Sequence, residues 1–388
     1  MNIGKMTTVL ALGLGLQGGL MNGASAETLK IGLIAPLTGG GAPWGIAEEE
    51  ATKILASEIN AKGGLDVGGK KYQVEVIAYD DQYKAADAVA AYNRLLNKDG
   101  VKYMIILSSP STMALKENIQ SDEVLTLTSS GVVKSVNADD KYMVRLLSIL
   151  ADYVPPFVAW LKDNIKERHV VIVNPNDESG WDSTKLSERA FKENGFQIVG
   201  SELFERSQKD FEPMVTKIVS TNADLIDLSA SPPATAGLIV RQARELGYKG
   251  LFIKTSGPAP KDIVDAAGKE AAEGMINLLY VDPSSEGYKR LAAEYRKAIG
   301  QDPNEMVVTF YDGANVLLHA IQKGGDVNDT AKARAAFAQV LPMQSAQGDQ
   351  LTYGGKATSG VENQIMTVGY IGIIKNGVPV IAGKVTPK

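Results

Sequence analysis

Short apolar segments alternate with amphipathic helical segments along most of the chain. Each apolar segment has six to eight residues, which is the usual length of a buried strand and too short for most helices. The predicted strands lie at residues 29–35, 72–79, 102–108, 123–129, 169–174, 197–203, 224–230, 251–256 and 274–280. Strands separated by helices form parallel sheets that carry those helices on both faces. The pattern therefore predicts an α/β fold.

The segment after the first predicted strand is typical of such a covering helix. Ala47, Ala51 and Ile54 recur at helical spacing, so their side chains share one apolar face. Gly63 and Gly64 follow the pattern, and glycine commonly ends a helix because it accepts a left-handed backbone. We expect this helix to end just before these glycines.

The number of strands indicates two sheets rather than one. Near residues 145–156 the next strand is missing, and a Pro-Pro pair predicts a helix start and a break between domains. Residues 350–383 alternate apolar and polar positions, and Lys375-Asn376-Gly377 predicts a hairpin turn. We therefore expect two doubly wound lobes and a hairpin region near the end.

Length and composition fit this organisation. A chain of 388 residues favours two domains, and 44% hydrophobic with 22% charged residues is ordinary for a globular protein. The formal net charge of −5 argues against a nucleic-acid partner.

The first 26 residues resemble a secretory signal peptide. A positive start at Lys5 precedes an uncharged apolar run, and Ala24-Ser25-Ala26 is a suitable cleavage site. A membrane anchor is the alternative, but the run is short and interrupted by glycine. The chain has no cysteine, so disulfides and a lipid-anchored cysteine are both excluded. We expect removal of the signal after Ala26 and a free protein in the periplasm.

The glycine-rich segment at residues 36–46 raises the possibility of a nucleotide site, because it lies between a strand and a helix. With Gly39 and Gly41 as the first two glycines of a dinucleotide motif, Trp44 occupies the third position. Glutamates at residues 48–50 would also repel a polyphosphate. The sequence therefore argues against a nucleotide, and we expect no cofactor.

The loops that leave the predicted strands have a composition in common. They are small, hydroxyl-rich and mostly uncharged, and they read TGGGAPWG, SSPST, SSGVV, NPNDESGW, ASPPAT and TSGPAP. In open α/β sheets the ligand crevice lies at this edge, where helix amino termini offer free N–H groups to a carboxylate. Small polar residues are also common in ordinary turns, but six such loops favour a shared binding crevice.

Residues for catalysis are not grouped in the sequence. His169 starts a strand and His319 lies on a helix, while Asp80 and Asp81 are explained by capping or by hydrogen bonds between lobes. Nucleophile elbows and metal-ligand spacings are absent. We therefore expect a binding protein rather than an enzyme, and no metal site.

Four short motifs together resemble the periplasmic leucine/isoleucine/valine-binding protein family, the solute-binding components of ABC importers. They are INAKGG (59–64), YDD (79–81), SSPST (108–112) and LIVRQARELG (238–247). The resemblance extends from about residue 29 to the end and implies a type I periplasmic binding protein. This fold has two doubly wound, Rossmann-like lobes that three crossover segments join, with the ligand in the cleft between them.

The resemblance also implies domain boundaries and partners. The crossovers fall near residues 145–152, 276–281 and 343–350. The amino-terminal lobe then comprises residues 27–148 and 279–345, and the carboxyl-terminal lobe comprises residues 149–278 and 346–388. The implied partners are a small-molecule carboxylate and an ABC permease in the inner membrane. We expect a monomer.

Several family binding positions match residues of this chain. Trp44 corresponds to an aromatic wall of the cleft, while Ser109 and Thr112 belong to the SSPST motif, whose Ser109 receives the ligand carboxylate. Ser130 and Gly131 correspond to backbone contacts with the same group.

Other positions depart from the amino-acid-binding pattern. Val132 replaces a threonine, Ser179 replaces a tyrosine, and Trp181 lies close enough to substitute for it. Pro232 replaces another aromatic residue, and Ser256 replaces the glutamate that pairs with the ligand's ammonium group.

The residues that hold a carboxylate are thus retained, while the glutamate that pairs with an ammonium group is replaced. This difference predicts a ligand with a carboxylate and no ammonium group. With Trp44, Trp181 and Tyr153 as flat walls, an aromatic or aryl-keto acid ranks first, branched-chain 2-keto acids second and amino acids third. Asp152 or Asp177 could still pair with an ammonium group. An ordinary branched-chain amino acid binding protein and a ligand sensor of the same fold remain the alternatives.

Overall fold

The computed structural model describes Met1 and residues 27–387. The predicted signal peptide, residues 1–26, lies outside the described residues except for Met1. Within the described part of the chain, every helix is too short or too polar to cross a membrane.

Strands and helices alternate over most of this length, as the hydrophobic pattern predicts. The strands are β1 Glu27–Ala35, β2 Leu65–Val67, β3 Lys70–Asp80, β4 Tyr103–Ile106, β5 Leu125–Thr128, β6 Met143–Arg145, β7 His169–Pro175, β8 Gln197–Phe204, β9 Leu225–Asp227, β10 Leu251–Lys254, β11 Ile276–Leu279, β12 Met343–Gln344, β13 Gln350–Gly354, β14 Gln364–Met366, β15 Gly369–Lys375 and β16 Val378–Val385. The helices are α1 Ala42–Ala61, α2 Ala85–Asn97, α3 Ser109–Ser121, α4 Leu150–Asn164, α5 Glu178–Glu193, α6 Glu212–Val219, α7 Pro233–Glu245, α8 Pro260–Ala267, α9 Lys269–Ala272, α10 Glu286–Ile299, α11 Val307–Gly324, α12 Thr330–Val340 and α13 Lys356–Ser359.

The strands form two separate sheets, which confirms the predicted fold class. The first sheet has the order β12-β13-β14-β6-β5-β4-β1-β3-β2, and the second has the order β16-β15-β11-β10-β9-β7-β8. The central strands of both sheets run parallel. We call the first sheet with helices α1–α3 and α10–α13 the first lobe, and the second sheet with α4–α9 the second lobe. Buried aliphatic and aromatic side chains fill the space between sheets and helices.

The chain passes between the two sheets after Arg145, after Leu279 and after Met366. The predicted third crossover near residues 343–350 is therefore wrong, and strands β12–β14 belong to the first lobe. Strand β14 pairs with β6 through Gln364 and Arg145, and β13 runs antiparallel to β14. The alternation of residues 350–383 gave no sign of this division, because it is the same on both sides of the crossover.

The predicted hairpin turn is confirmed. Strands β15 and β16 pair antiparallel on either side of Asn376 and Gly377. These two residues have φ values of 54° and 82°, and the type I′ turn needs positive φ at both central positions. This hairpin forms the edge of the second sheet.

Helix α4 begins earlier than the Pro-Pro pair predicts. It starts at Leu150, so Pro155 and Pro156 lie inside the helix. Asp152 satisfies a free backbone group at this end, because its Oδ2 accepts the N–H of Ile149 at 2.7 Å. The cap therefore sets the helix start, and the prolines follow within the helix.

Candidate functional site: the cavity between the lobes

The cavity lies at the carboxyl edges of both sheets, where helices α1, α3, α5 and α7 begin. It offers about 90 Å³ to the centres of water-sized molecules, which is room for several waters at roughly 10–15 Å³ each and therefore for one small organic molecule. The lining residues are Trp44, Tyr83, Leu107, Ser109, Ser129, Ser130, Gly131, Val132, Leu147, Ser148, Ile149, Leu150, Ser179, Ala230, Ser256, Gly257, Tyr280, Met306 and Phe310. Among them are seven of the twelve predicted binding residues.

Trp44 lines the cavity from the first turn of α1 and is only 6% exposed. Its indole N–H donates to the carbonyl of Pro258 in the second lobe at 2.8 Å. Gly257 makes this approach possible, because its φ is +52° and an added Cβ would lie 3.0 Å from the indole ring. The glycine-rich segment before α1 thus leads to a tryptophan that bridges the two lobes.

A buried lysine lies behind this tryptophan. Lys254 Nζ is 5.7 Å from the centre of a Trp44 ring and donates to the carbonyls of Ser229 and Ser231, each at 2.6 Å. Burial lowers the pKa of Lys254 to about 7, against the opposing effect of Asp227. Lys254 reinforces the second-lobe wall and does not itself line the cavity.

Three serines of the first lobe form one polar end of the cavity. Ser109 is the first residue of α3, and Ser108 caps that helix by accepting the N–H of Ser111. Ser130 Oγ donates to Ser109 Oγ at 2.9 Å, and Ser129 Oγ donates to Glu48 Oε1 at 3.1 Å. This end combines hydroxyl groups with the partial positive charge of a helix amino terminus, which suits a carboxylate.

Arg145 holds the loop that follows these serines. Its side chain is 1% exposed, and its Nη1 donates to the carbonyls of Ser130 and Val132 at 3.2 and 3.0 Å. The C=O and N–H of one trans peptide point in opposite directions, so the Gly131 N–H points away from Arg145. Gly131 also lines the cavity, which makes its N–H a candidate donor to a ligand.

Arg145 also carries charge. Burial lowers its pKa to about 10, and nearby aspartates, Asp152 foremost, oppose this effect. The guanidinium therefore stays protonated at neutral pH. It adds positive potential behind the loop at residues 130–133 without contacting the cavity.

Glu48 lies behind Ser129 and is fully buried. Burial raises its pKa to about 8, which the hydrogen bond from Ser129 opposes. At neutral pH Glu48 is therefore mainly protonated. It does not supply the fixed negative charge that an ammonium group would need.

The second lobe contributes Ser179, Ala230, Ser256, Gly257 and Tyr280 to the opposite wall. Ser256, where the family resemblance leads us to expect a glutamate, is 2% exposed and follows β10. Every charged side chain of the described residues stays out of the cavity lining. The cavity therefore has hydroxyl groups at its polar positions and apolar or aromatic side chains elsewhere.

Thr112 and Pro232 do not line the cavity, in contrast to the prediction. Thr112 Oγ1 lies deeper in the first lobe, donating to the Ser108 carbonyl at 2.8 Å and meeting Thr128 Oγ1 at 2.7 Å. Pro232 precedes α7 and packs near Gly40, so it forms part of the lobe contact beside the cavity.

Asp152, Tyr153 and Trp181 also lie elsewhere. Asp152 is fully buried and caps α4, and the hydroxyl of Tyr153 bonds to Thr367. Both side chains turn towards the third crossover, where Gln364 Nε2 donates to Asp152 Oδ2 at 2.7 Å. Trp181 is 51% exposed and bonds to Asn176 outside the cavity. Asp177, the other proposed ammonium partner, caps α5 and pairs with Arg206.

Four further lining residues were not predicted from the sequence: Tyr83, Tyr280, Met306 and Phe310. Tyr83 follows the YDD motif by two residues and has a positive φ of 63°, which a sequence pattern does not indicate. Tyr280 follows β11 at the second crossover, and Met306 and Phe310 lie at the start of α11. Their apolar character is equally typical of core residues.

The lobes touch around the cavity, so the cleft is closed in this structure. Besides the bond from Trp44, the N–H of Val133 donates to Asp182 Oδ2 of the second lobe at 3.1 Å. The guanidinium carbon of Arg206 lies 3.7 Å from the centre of the Tyr83 ring.

Comparison with known proteins agrees with this architecture. The family model described as periplasmic binding protein matches residues 28–375. The chain belongs to this family. It is 26% identical to the Leu/Ile/Val-binding protein of Escherichia coli strain K12, over 80% of this chain and 84% of the relative. It is 24% identical to a leucine-, isoleucine-, valine-, threonine- and alanine-binding protein of Pseudomonas aeruginosa, over 82% and 84% of the two chains.

Two solved structures share the fold of this family member. The leucine binding protein of Thermotoga maritima superposes with a TM-score of 0.80 at 22% identity, covering 93% of this chain and 99% of that one. A solute binding protein of R. palustris in complex with benzoate gives a TM-score of 0.78 at 18% identity, covering 93% and 97%. The predicted family is confirmed, and the chain is a member of the periplasmic binding proteins.

Proposed function

We propose that this protein binds a small carboxylic acid without an ammonium group, with an aromatic or aryl-keto acid as the leading candidate. The observation that carries the proposal is the composition of the cavity lining, which among the described residues contains hydroxyl, apolar and aromatic side chains and no charged one. A buried ammonium group without an anionic or multiply accepting partner costs several kcal/mol. An acid without that group avoids this cost.

The first-lobe serines supply the carboxylate end of the proposed complex. Ser109 and Ser130 offer hydroxyl groups, and Gly131 offers an N–H group that points away from Arg145. The amino terminus of α3 and the buried guanidinium both favour a negative charge here. A carboxylate can be held by such donors without a direct ion pair.

The remaining lining favours a flat apolar body. Trp44, Tyr280 and Phe310 are aromatic, and Leu107 and Met306 add aliphatic and thioether surface. Aromatic rings pack well against other rings in offset or edge-on arrangements. Branched-chain 2-keto acids fit the same charge pattern with less aromatic contact, so they rank second.

An ordinary branched-chain amino acid is the alternative ligand class, and a specific observation favours it. The E. coli relative is named a Leu/Ile/Val-binding protein, whereas the benzoate complex is of a more distant protein. Under this alternative, protonated Glu48 would lose its proton and face the ammonium group through Ser129. The high pKa of Glu48 makes this arrangement the less favourable one.

The proposed role is delivery of the bound acid to an ABC permease in the inner membrane by a monomeric receptor. A ligand sensor of the same fold would have the same cavity and a different partner. Permease and ATPase genes beside this one would favour transport. A regulatory gene in their place would favour sensing.

Calorimetry with matched ligand pairs tests the proposed ligand class. The pairs are phenylpyruvate with phenylalanine, and 4-methyl-2-oxopentanoate with leucine, because each pair differs mainly in the keto or ammonium group. We expect the keto acid to bind at least about tenfold more tightly in each pair, a difference of about 1.4 kcal/mol. Tighter binding of both amino acids would refute the proposal.

A Ser109→Ala variant tests the proposed position of the ligand carboxylate. It removes a donor to the carboxylate that both members of a pair share, so both affinities should fall by a similar factor. An unchanged affinity for both ligands would show that the carboxylate lies elsewhere.

A further inference from the structure

A second polar group of the cavity lining comes from both lobes. Ser179 of the second lobe and Tyr83 of the first lobe both line the cavity. Ser179 Oγ is buried and, among the described residues, has no hydrogen-bond partner. A buried hydroxyl without a partner is unfavourable, so this part of the lining is incomplete without a ligand group or a water molecule.

Helix α5 holds Ser179 in place. Asp177 caps the helix by accepting the N–H of Gly180 at 3.1 Å. Gly180 packs so closely on Pro175 that an added Cβ would lie 1.8 Å from the Pro175 carbonyl oxygen. The first turn of α5 cannot shift to give Ser179 another partner without disturbing strand β7.

Arg206 fixes Tyr83 from the other side. Its guanidinium lies over the Tyr83 ring, and its Nε donates to Asp177. Burial raises the pKa of Tyr83, which Arg206 opposes and Asp177 reinforces. The Ser179 hydroxyl lies close enough to the phenol to lower this pKa slightly, but the two groups do not form a hydrogen bond of normal geometry. The phenol therefore stays protonated and remains able to donate or accept a hydrogen bond.

We propose that the ligand carries a hydroxyl group in addition to its carboxylate, and that this hydroxyl binds Ser179 beside Tyr83. The inference rests on the proposed function, because the carboxylate must occupy the end formed by Ser109 and Ser130. A hydroxyl group can donate to one protein oxygen and accept from the other. Since Ser179 and Tyr83 belong to different lobes, the same hydroxyl also links the lobes. A hydroxylated aromatic acid is the ligand class that fits both ends.

Calorimetry with benzoate and 4-hydroxybenzoate, and with phenylpyruvate and 4-hydroxyphenylpyruvate, tests this specificity. We expect the hydroxylated acid of at least one pair to bind about tenfold more tightly to the unmodified protein. In Ser179→Ala the preference for the hydroxylated acid over its parent should fall to about threefold or less. The matched control is Ser183→Ala, since Ser183 Oγ on the same helix is also buried and unpartnered but does not line the cavity. This control should keep the full preference.

The outcomes separate this inference from the proposed function. If the parent acids bind and added hydroxyl groups give no preference, the hydroxyl site is wrong and the ligand class stands. A preference that survives in Ser179→Ala also overturns the assignment of Ser179. If all four aromatic acids fail to bind while leucine or phenylalanine binds, the proposed function itself is wrong. Thermal unfolding of both variants verifies that they fold.

Discussion

At the scale of single residues, some side chains of the site can be predicted from the sequence and others cannot. Trp44 was predicted as a cleft wall, and it does line the cavity. Arg145 was not predicted, although it is among the largest fully buried side chains of the described residues. A tryptophan in a glycine-rich loop is unusual enough to attract notice. An arginine at a strand end is more often exposed, and only the fold shows that backbone carbonyls surround it.

Replacement of Trp44 by alanine should weaken ligand binding by roughly 2–4 kcal/mol, because it removes a buried aromatic wall. Trp44→Phe is the matched variant, since it keeps one aromatic ring while it loses the N–H donated to Pro258 and part of the indole surface. Its loss should be about 0.5–1.5 kcal/mol. Calorimetry of both variants with the tightest acid gives the comparison. If affinity stays the same while the free energy of unfolding falls, Trp44 is a packing residue and not a ligand contact.

At the scale of elements, helix α8 of the second lobe meets the segment before α11 of the first. Asp262 lies in α8, and Glu305 lies between α10 and α11. Each has one buried carboxylate oxygen without a partner among the described residues. Burial raises the pKa of Asp262 to about 6 and that of Glu305 to about 8. The charge of Asp262 further raises the pKa of Glu305, while Lys261 lowers both values. The contact therefore favours protonated carboxyl groups.

This contact predicts that ligand affinity falls as pH rises from about 6 to 8.5. When the lobes separate, both carboxyl groups regain water and ionise near their ordinary pKa values, so closure takes up protons across this range. A carboxyl group with a raised pKa favours closure fully below its ordinary pKa, and this benefit is lost progressively as the pH rises to the raised value. Calorimetry in buffers of different ionisation enthalpy measures the proton uptake directly. Glu305→Gln should remove most of the pH dependence.

The control for the pH effect is Asp312→Asn. Burial also raises the pKa of Asp312 to about 7, but its partners Ser345 and Ala346 lie in the same lobe. Its titration affects the stability of that lobe and should leave the pH dependence of affinity as it is. Affinity that is constant from pH 6 to 8.5 in the unmodified protein would contradict the role of the lobe contact.

The elements also show what the sequence could predict. Parallel strands, covering helices and the Asn376-Gly377 turn followed from local patterns, because strand length, helical spacing and turn chemistry are local properties. The third crossover did not, since strands β13 and β15 have the same alternation and differ only in their distant partners. Asp152 and Tyr153 were placed in the site for a similar reason. Their direction depends on where α4 starts, and the cap at Ile149 sets that start.

At the scale of the whole molecule, three crossings between two lobes indicate a hinged receptor. The closed cleft described here should open when the protein is empty in solution. Small-angle scattering should therefore give a smaller radius of gyration with a saturating tight ligand than without it. Binding to the closed form should also raise the midpoint of thermal unfolding. A radius of gyration that does not change on binding would contradict the hinge.

The central claim is that the cavity selects a small acid without an ammonium group, and competition read by native mass spectrometry tests it most directly. The mature chain is freed of bound ligand and given an equimolar mixture of phenylpyruvate, 4-hydroxybenzoate, 4-methyl-2-oxopentanoate, phenylalanine and leucine. Isotope labels on the amino acids give each complex its own mass. The account predicts that the dominant complex contains one of the three acids that lack an ammonium group, with one ligand per chain. A dominant complex with phenylalanine or leucine would contradict it.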